Sequence, residues 1–199
     1  MKTKIEHVRT VTEDGVRDGL KVYYEDGVIL AVTAEDLPAE RIVDGEGAYL
    51  SAGWIDIHTH GAGGADFLDG TPEAFRTAAR MHGRHGTATL IPTTTSVDGE
   101  RIIRTAAAYE AVRKDPDLPS MPGLHLEGPY LASSQKGAQE DRFIRPFDEG
   151  ETMEILAASD RILRWTAAPE LPGACSPAWA IRTPHLPKPC GHTKRDLPT

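Results

Sequence analysis

Two histidines one residue apart, His58 and His60, close the apolar stretch Gly53-Trp54-Ile55-Asp56-Ile57. Strand side chains alternate between faces, so Trp54, Asp56, His58 and His60 are expected on one side and Ile55 and Ile57 on the other. Two imidazoles on one face can share a divalent ion, for which neutral imidazole is the commonest protein ligand. A hydrogen-bonded pair at a strand end is the plainer alternative, because a metal site needs three or four donors. A third donor is available in Gly123-Leu124-His125-Leu126-Glu127-Gly128-Pro129-Tyr130. Glu127 ends that short run, where a carboxylate can bind a metal and Gly128 allows close backbone approach. His125 shares a face with Glu127 by the two-residue period and reads as a packing or orienting residue rather than a ligand.

These groups need elements to position them. Up to about Leu50 the chain shows short β-like runs (20–24, 28–32 and 41–43) split by Asp-Gly turn signals at Asp14-Gly15, Asp26-Gly27 and Asp44-Gly45. That pattern predicts a small antiparallel β unit over residues 1–50. After Gly53, strands and helices alternate. Strand 54–58 leads through the glycine-rich segment 61–64 to a helix over 72–82 with Thr71 as N-cap. Strand 87–92, a helix from about Asp98 to Lys114, strand 123–127, a helix over 149–158 and an apolar run over 162–168 follow. This alternation predicts parallel βα units, hence a doubly wound sheet or a (β/α)8 barrel, with ligands gathered at the carboxyl ends of the strands. His58, His60, Thr93 to Thr95, Glu127 and Glu170 fall at those ends. The threonines and Glu170 read as capping or structural groups, and His82 and His85 as helix-end residues. The 61–64 segment reads as a tight turn in preference to an anion cradle.

Composition narrows the function classes. The net charge of −8, from 22 Lys plus Arg against 30 Asp plus Glu, argues against non-specific nucleic-acid binding. No apolar run approaches the length of a membrane span, and the N-terminus lacks the apolar segment of a signal peptide, so a cytoplasmic location without membrane association is the expectation. Cys175 and Cys190 read as free thiols.

With these residues in place, the sequence resembles the N-acetylglucosamine-6-phosphate deacetylases of the amidohydrolase superfamily. The resemblance is carried by His58-Thr59-His60-Gly61, Gly61 to Asp66, Pro92-Thr93-Thr94, His125 to Pro129, Lys136-Gly137-Ala138 and Ala168-Pro169-Glu170, over roughly residues 1–173. It implies an α/β fold: a partial (β/α)8 TIM-type metal-dependent hydrolase barrel over 51–173, preceded by a small β accessory domain over 1–50. Glu127 would be the principal metal ligand, with His58 and His60 holding a second metal, so one or two divalent ions, zinc foremost, are implied. An amino-sugar phosphate would be the substrate, with Ala138 and Gln139 in the sugar-binding segment, and a homodimer is implied for the full-length enzyme. The family commonly has histidine where Gln139 stands, and glutamine cannot carry charge. Lys136 and Arg145 read either as phosphate contacts or as solvated surface charges.

Beyond Gly173 the pattern breaks. Pro177, Pro184, Pro187 and Pro189 forbid the regular helix and central strand that the family places there. Residues 174–199 therefore read as an irregular proline-rich tail, either frameshifted or divergent. Gly191-His192-Thr193 resembles the family's Gly-His-Ser/Thr motif and makes His192 a further candidate ligand. The family's other metal histidine and its acid-base aspartate have no counterpart up to Thr199, and a whole barrel takes about 250 residues. The catalytic residue is thus unassigned, and incomplete activity is the expectation for this chain. Two further readings stand beside the deacetylase: another amidohydrolase acting on cyclic amides, and a non-catalytic fragment that associates with a full-length homologue.

Overall fold

A computed structural model describes residues 1–169. Glu170, the cysteines, the 174–199 tail and His192 lie outside the described residues. The chain divides into two compact units, Met1–Gly53 and a second beginning at Trp54.

The first unit holds seven short strands: β1 (Thr3–Glu6), β2 (Arg9–Thr12), β3 (Gly15–Arg17), β4 (Lys21–Glu25), β5 (Val28–Thr33), β6 (Arg41–Asp44) and β7 (Tyr49–Leu50). They form two sheets, ordered β5-β4-β1-β6 and β3-β2-β7. The β4–β5 hairpin turns at Asp26-Gly27, where both residues take positive φ (49° and 79°), the backbone of a type I′ turn whose twist matches the flanking strands. The antiparallel expectation is corrected elsewhere. β6 runs parallel to β1, with Thr3 opposite Arg41, and β7 runs parallel to β2. Parallel neighbours need a long connection, so this pairing joins residues about 40 positions apart, beyond the reach of any local turn signal. The third Asp-Gly signal is also displaced: Glu46-Gly47 makes the turn, and Asp44 accepts the Glu46 N–H at 2.9 Å.

In the second unit β8 (Trp54–Thr59), β11 (Thr87–Thr94), β12 (Leu124–Glu127) and β13 (Ile162–Thr166) make one parallel sheet in chain order. Their crossovers are α1 (Pro72–Arg84), α2 (Gly99–Val112) and α3 (Glu149–Ala158). A short hairpin, β9 (Gly61–Ala62) and β10 (Ala65–Asp66), turning at Gly63-Gly64, accounts for the glycine-rich segment. Each helix starts where a side chain supplies an acceptor to an otherwise unpaired N–H: Thr71 to Ala74, Asp98 to Arg101 and Asp148 to Glu151.

One face of the sheet packs on the helices. Leu90, Leu124, Phe75, Ala79, Ala106 and Tyr109 form one fully buried cluster, and Leu126, Ile102, Ile155 and Ile162 anchor a second. On β12 the alternation is clean: Leu124 and Leu126 enter the apolar layer, and His125 and Glu127 face the other way. Tyr109 brings a polar group into this layer, and its hydroxyl is satisfied by the Met121 carbonyl at 2.9 Å. Among the described residues β8 and β13 are the sheet's edges, and Ile55 and Ile57 on β8 stand exposed. The chain is thus a partial α/β fold in which successive parallel strands end on the same side. Among the described residues no helix is long and apolar enough to cross a membrane.

Candidate metal centre

The end of β8 is irregular, and the irregularity aims the histidines. β8 takes three steps from Asp56 to Thr59 where β11 takes two from Leu90 to Pro92, so one extra residue is inserted. The insertion reverses the face parity. Asp56 therefore does not share a face with His58 and His60, as simple alternation predicts. It sides with Thr59, and both approach His82 of α1: Thr59 Oγ1 lies 3.2 Å from His82 Nε2 and Asp56 Oδ2 lies 3.8 Å from Nδ1. Asp56 also accepts the backbone N–H of His58 at 3.1 Å, which fixes the bulge. His82 is thus a neighbour of the bulge, whereas His85 only caps α1.

His58, His60 and Glu127 converge, with one donor atom of each within 4.8 Å of the others. His60 Nε2 is 3.4 Å and His58 Nε2 3.9 Å from Glu127 Oε2. An ion with bonds of about 2.0–2.2 Å holds two donors at most about 4.4 Å apart, so both pairs already have metal-sharing separations. The tautomer of His60 follows from its other contact. Nδ1 lies 3.1 Å from the Thr93 carbonyl, which can only accept, so Nδ1 carries the proton and Nε2 presents a lone pair. Three protein donors on a partly exposed strand end match the donor set of a catalytic divalent ion. The residues present therefore fit such an ion.

His125 is not among the donors. It is buried, with Nδ1 3.3 Å from Thr93 Oγ1 and Nε2 2.7 Å from Thr166 Oγ1, so both ring nitrogens are committed. Burial pushes its pKa down to about 4, with Arg164 and the two neighbouring histidines adding to the shift. It braces β11, β12 and β13 as a neutral ring, in keeping with a packing role, and its hydrogen bonds go to threonines rather than to Glu127.

Thr93 does more than the cap expected of it. Fully buried, it accepts the Thr59 N–H at 3.3 Å, contacts His125 through its hydroxyl and orients His60 through its carbonyl. Gln139, expected among sugar contacts, lies against the donor set, its Nε2 3.0 Å from Glu127 Oε2 and its Oε1 accepting the Ser96 N–H at 2.7 Å. Ala138 beside it is exposed. Lys136 donates to the Gln139 carbonyl and pairs with Asp141, so it ties its own loop. Arg145 is not a solvated surface charge: the guanidinium is bidentate to Glu151 and donates to the carbonyls of Val97 and Phe143. Gly128, after Glu127, has φ +78°, and a Cβ there would run into Ser96 Oγ, so only glycine fits. Ser96, just after β11, and Gln139, on the loop after β12, come together only through the fold, whereas Thr93 lies three residues before Ser96. The Pro92-Thr93-Thr94 and Lys136-Gly137-Ala138 motifs were the signals nearest to them.

No family model matches the chain. An N-acetylgalactosamine-6-phosphate deacetylase of Escherichia coli O157:H7 is 29% identical over 188 residues, which cover 93% of this chain and 49% of that relative. A Shewanella protein of the same name is 31% identical over 83% of this chain and 40% of its own length. Among solved structures, N-acetyl-D-glucosamine-6-phosphate deacetylase from Mycobacterium smegmatis superposes with a TM-score of 0.73 at 28% identity, over 88% of this chain and 45% of that one; that structure is of a variant in complex with N-acetyl-D-glucosamine-6-phosphate. The chain spans about half, or somewhat less, of the length of the relatives it matches. Over most of its residues it resembles the N-terminal portion of the N-acetylglucosamine-6-phosphate deacetylase family of amidohydrolases.

Proposed function

We propose that this chain carries metal-binding residues of a metal-dependent deacetylase that acts on N-acetylglucosamine 6-phosphate, releasing acetate and glucosamine 6-phosphate. The convergence of His58, His60 and Glu127 at the carboxyl ends of parallel strands carries the reading. In it, residues 51–173 are the N-terminal part of an amidohydrolase barrel, residues 1–50 an accessory β unit, and the assembly a homodimer. Zinc is the proposed ion, held by Glu127 and the two histidines.

Bound there, a divalent ion supplies a water of lowered pKa and polarises the acetamide carbonyl. The chain's own residues prepare that chemistry. Thr93 fixes the His60 tautomer through its carbonyl. His125 stays uncharged beside the centre, adding no positive charge to oppose a cation. Gln139 and Ala138 lie on the loop after β12, where the exposed Ala138 would meet the sugar.

The names of the Escherichia coli and Shewanella relatives favour a second reading, in which N-acetylgalactosamine 6-phosphate is the substrate. Both are tested by joining residues 1–173 to the C-terminal half of a relative and measuring acetate release from the two sugar phosphates. Release with one preferred sugar, abolished by Glu127→Ala, is expected. Turnover unchanged by Glu127→Ala sinks the assignment.

A further inference from the structure

Glu127 Oε2 is the atom on which the candidate centre turns, since both histidine Nε2 atoms face it. A glutamate side chain ends in a broad, roughly two-fold torsion, so this oxygen keeps its place only if something holds it. Gln139 is that partner, and the orientation of its amide follows from its neighbours. The Ser96 N–H is solely a donor and lies 2.7 Å from one end of the amide, so that end is the oxygen. The NH2 group is then turned toward Glu127, 3.0 Å from Oε2. The carboxylate can only accept, so both ends of the amide are matched. The loop is itself anchored, because Lys136 Nζ donates to the Gln139 carbonyl at 2.8 Å and pairs with Asp141 at 3.1 Å. Ser96 belongs to the segment after β11, and Gln139 to the loop after β12. The amide thus clips two strand-end segments together across the carboxylate.

We propose that Gln139 is a positioning residue of the metal centre: its amide, set by Ser96, holds Glu127 Oε2 toward His58 and His60 and couples ion binding to the 136–139 loop. A carboxylate oxygen has two lone pairs, so one can accept from Gln139 while the other faces an ion. Groups that orient a ligand in this way typically contribute 10–100-fold to metal affinity. The inference rests on the metal reading above and is tested apart from it.

The test uses the purified whole chain with zinc, and with cobalt(II) as a visible-absorption probe, in the wild type and in Glu127→Ala, Gln139→Met and Gln139→His. Circular dichroism checks that each variant is folded. Methionine has glutamine's length but cannot bridge, and should weaken zinc binding about 10–100-fold and alter the cobalt spectrum. Neutral histidine has one donor and one acceptor on its ring and should recover most of the loss. Linkage adds a readout that a merely structural role would not move: zinc should slow hydrogen exchange at the Ser96 amide in the wild type and not in Gln139→Met. Zinc affinity and cobalt spectrum unchanged in Gln139→Met, with binding lost in Glu127→Ala, overturn the clamp and leave the metal reading standing. A wild-type chain that takes up neither ion overturns both.

Discussion

The charged groups of the first unit and those at the strand ends of the second behave in opposite ways. In the first, charges meet opposite partners at hydrogen-bonding distance: Lys4 lies 2.7 Å from Glu6 and 3.0 Å from Asp36, the N-terminal ammonium 2.9 Å from Glu25, and His7 Nδ1 2.9 Å from Asp44. Those contacts hold the Lys4 ammonium well above its ordinary range. At the strand ends of the second unit, His58, His60 and Glu127 converge without closing to hydrogen bonds, at 3.4 and 3.9 Å. Paired charges are already satisfied and serve the fold. Converging lone pairs that stop short of one another leave a place for something positive. The lesson is that a site is distinguished less by residue type than by unspent hydrogen-bonding capacity.

The strongest way to break this comparison is on one strand, where adjacent residues face opposite layers. Glu127→Ala should abolish stoichiometric zinc uptake, read by calorimetric titration, and leave unfolding in urea little changed. Leu126→Ala, its neighbour in the apolar layer, should lower stability by about 2–5 kcal/mol and leave the zinc affinity of the folded protein intact. If either variant moved both quantities equally, the division into a structural and a donor face would fail.

A smaller contrast separates two adjacent threonines of β11. The Thr93 hydroxyl is committed to Thr59 and His125, whereas the buried Thr94 hydroxyl has no hydrogen-bond partner among the described residues. Thr93→Val should therefore cost about 1–3 kcal/mol by leaving buried groups unpaired. Thr94→Val exchanges an unpaired hydroxyl for a methyl of similar size and should stabilise by up to about 1 kcal/mol. Denaturant midpoints of the two variants, shifting in opposite directions, are the check.

What the sequence made legible follows the range of the interactions. Helix starts at Thr71 and near Asp98 and the strands ending at Glu127 and Thr59 are written in local caps and period-two runs, and the structure has them within a few residues. The three converging donors were legible because each stands at a strand end, where parallel sheets gather ligands. The bulge in β8 was not, because alternation assumes one residue per step and only pairing with β11 reveals the extra one. Nor were the parallel pairings of β6 and β7, or the contact of Ser96 with Gln139 across 43 positions, since no local pattern encodes a partner that distant.

The smallest expected effect lies in the first unit and tests whether its pairs are spent on the fold. The hydrogen bond to Asp44 raises the pKa of His7 above its ordinary 6.5, and Asp44 in turn is lowered, first by the Glu46 N–H and then by His7. A base with a raised folded pKa stabilises fully below its unfolded value, and that contribution is lost as pH rises through the folded one. For Asp44 the sense is reversed, with stabilisation lost as pH falls through its lowered value. The pair therefore acts in a window bounded below by the titration of Asp44 and above by that of His7. Asp44→Asn keeps an acceptor for the Glu46 N–H and removes only the charge. The gap in Tm between wild type and Asp44→Asn should be widest near pH 5 to 6 and shrink steadily toward pH 8. Both side chains are more than half exposed, so solvent screens the pair and the gap will be small. A gap that stayed level from pH 5 to pH 8 would mean that Asp44 works chiefly through its backbone contacts, and the first unit would lose one of its satisfied pairs.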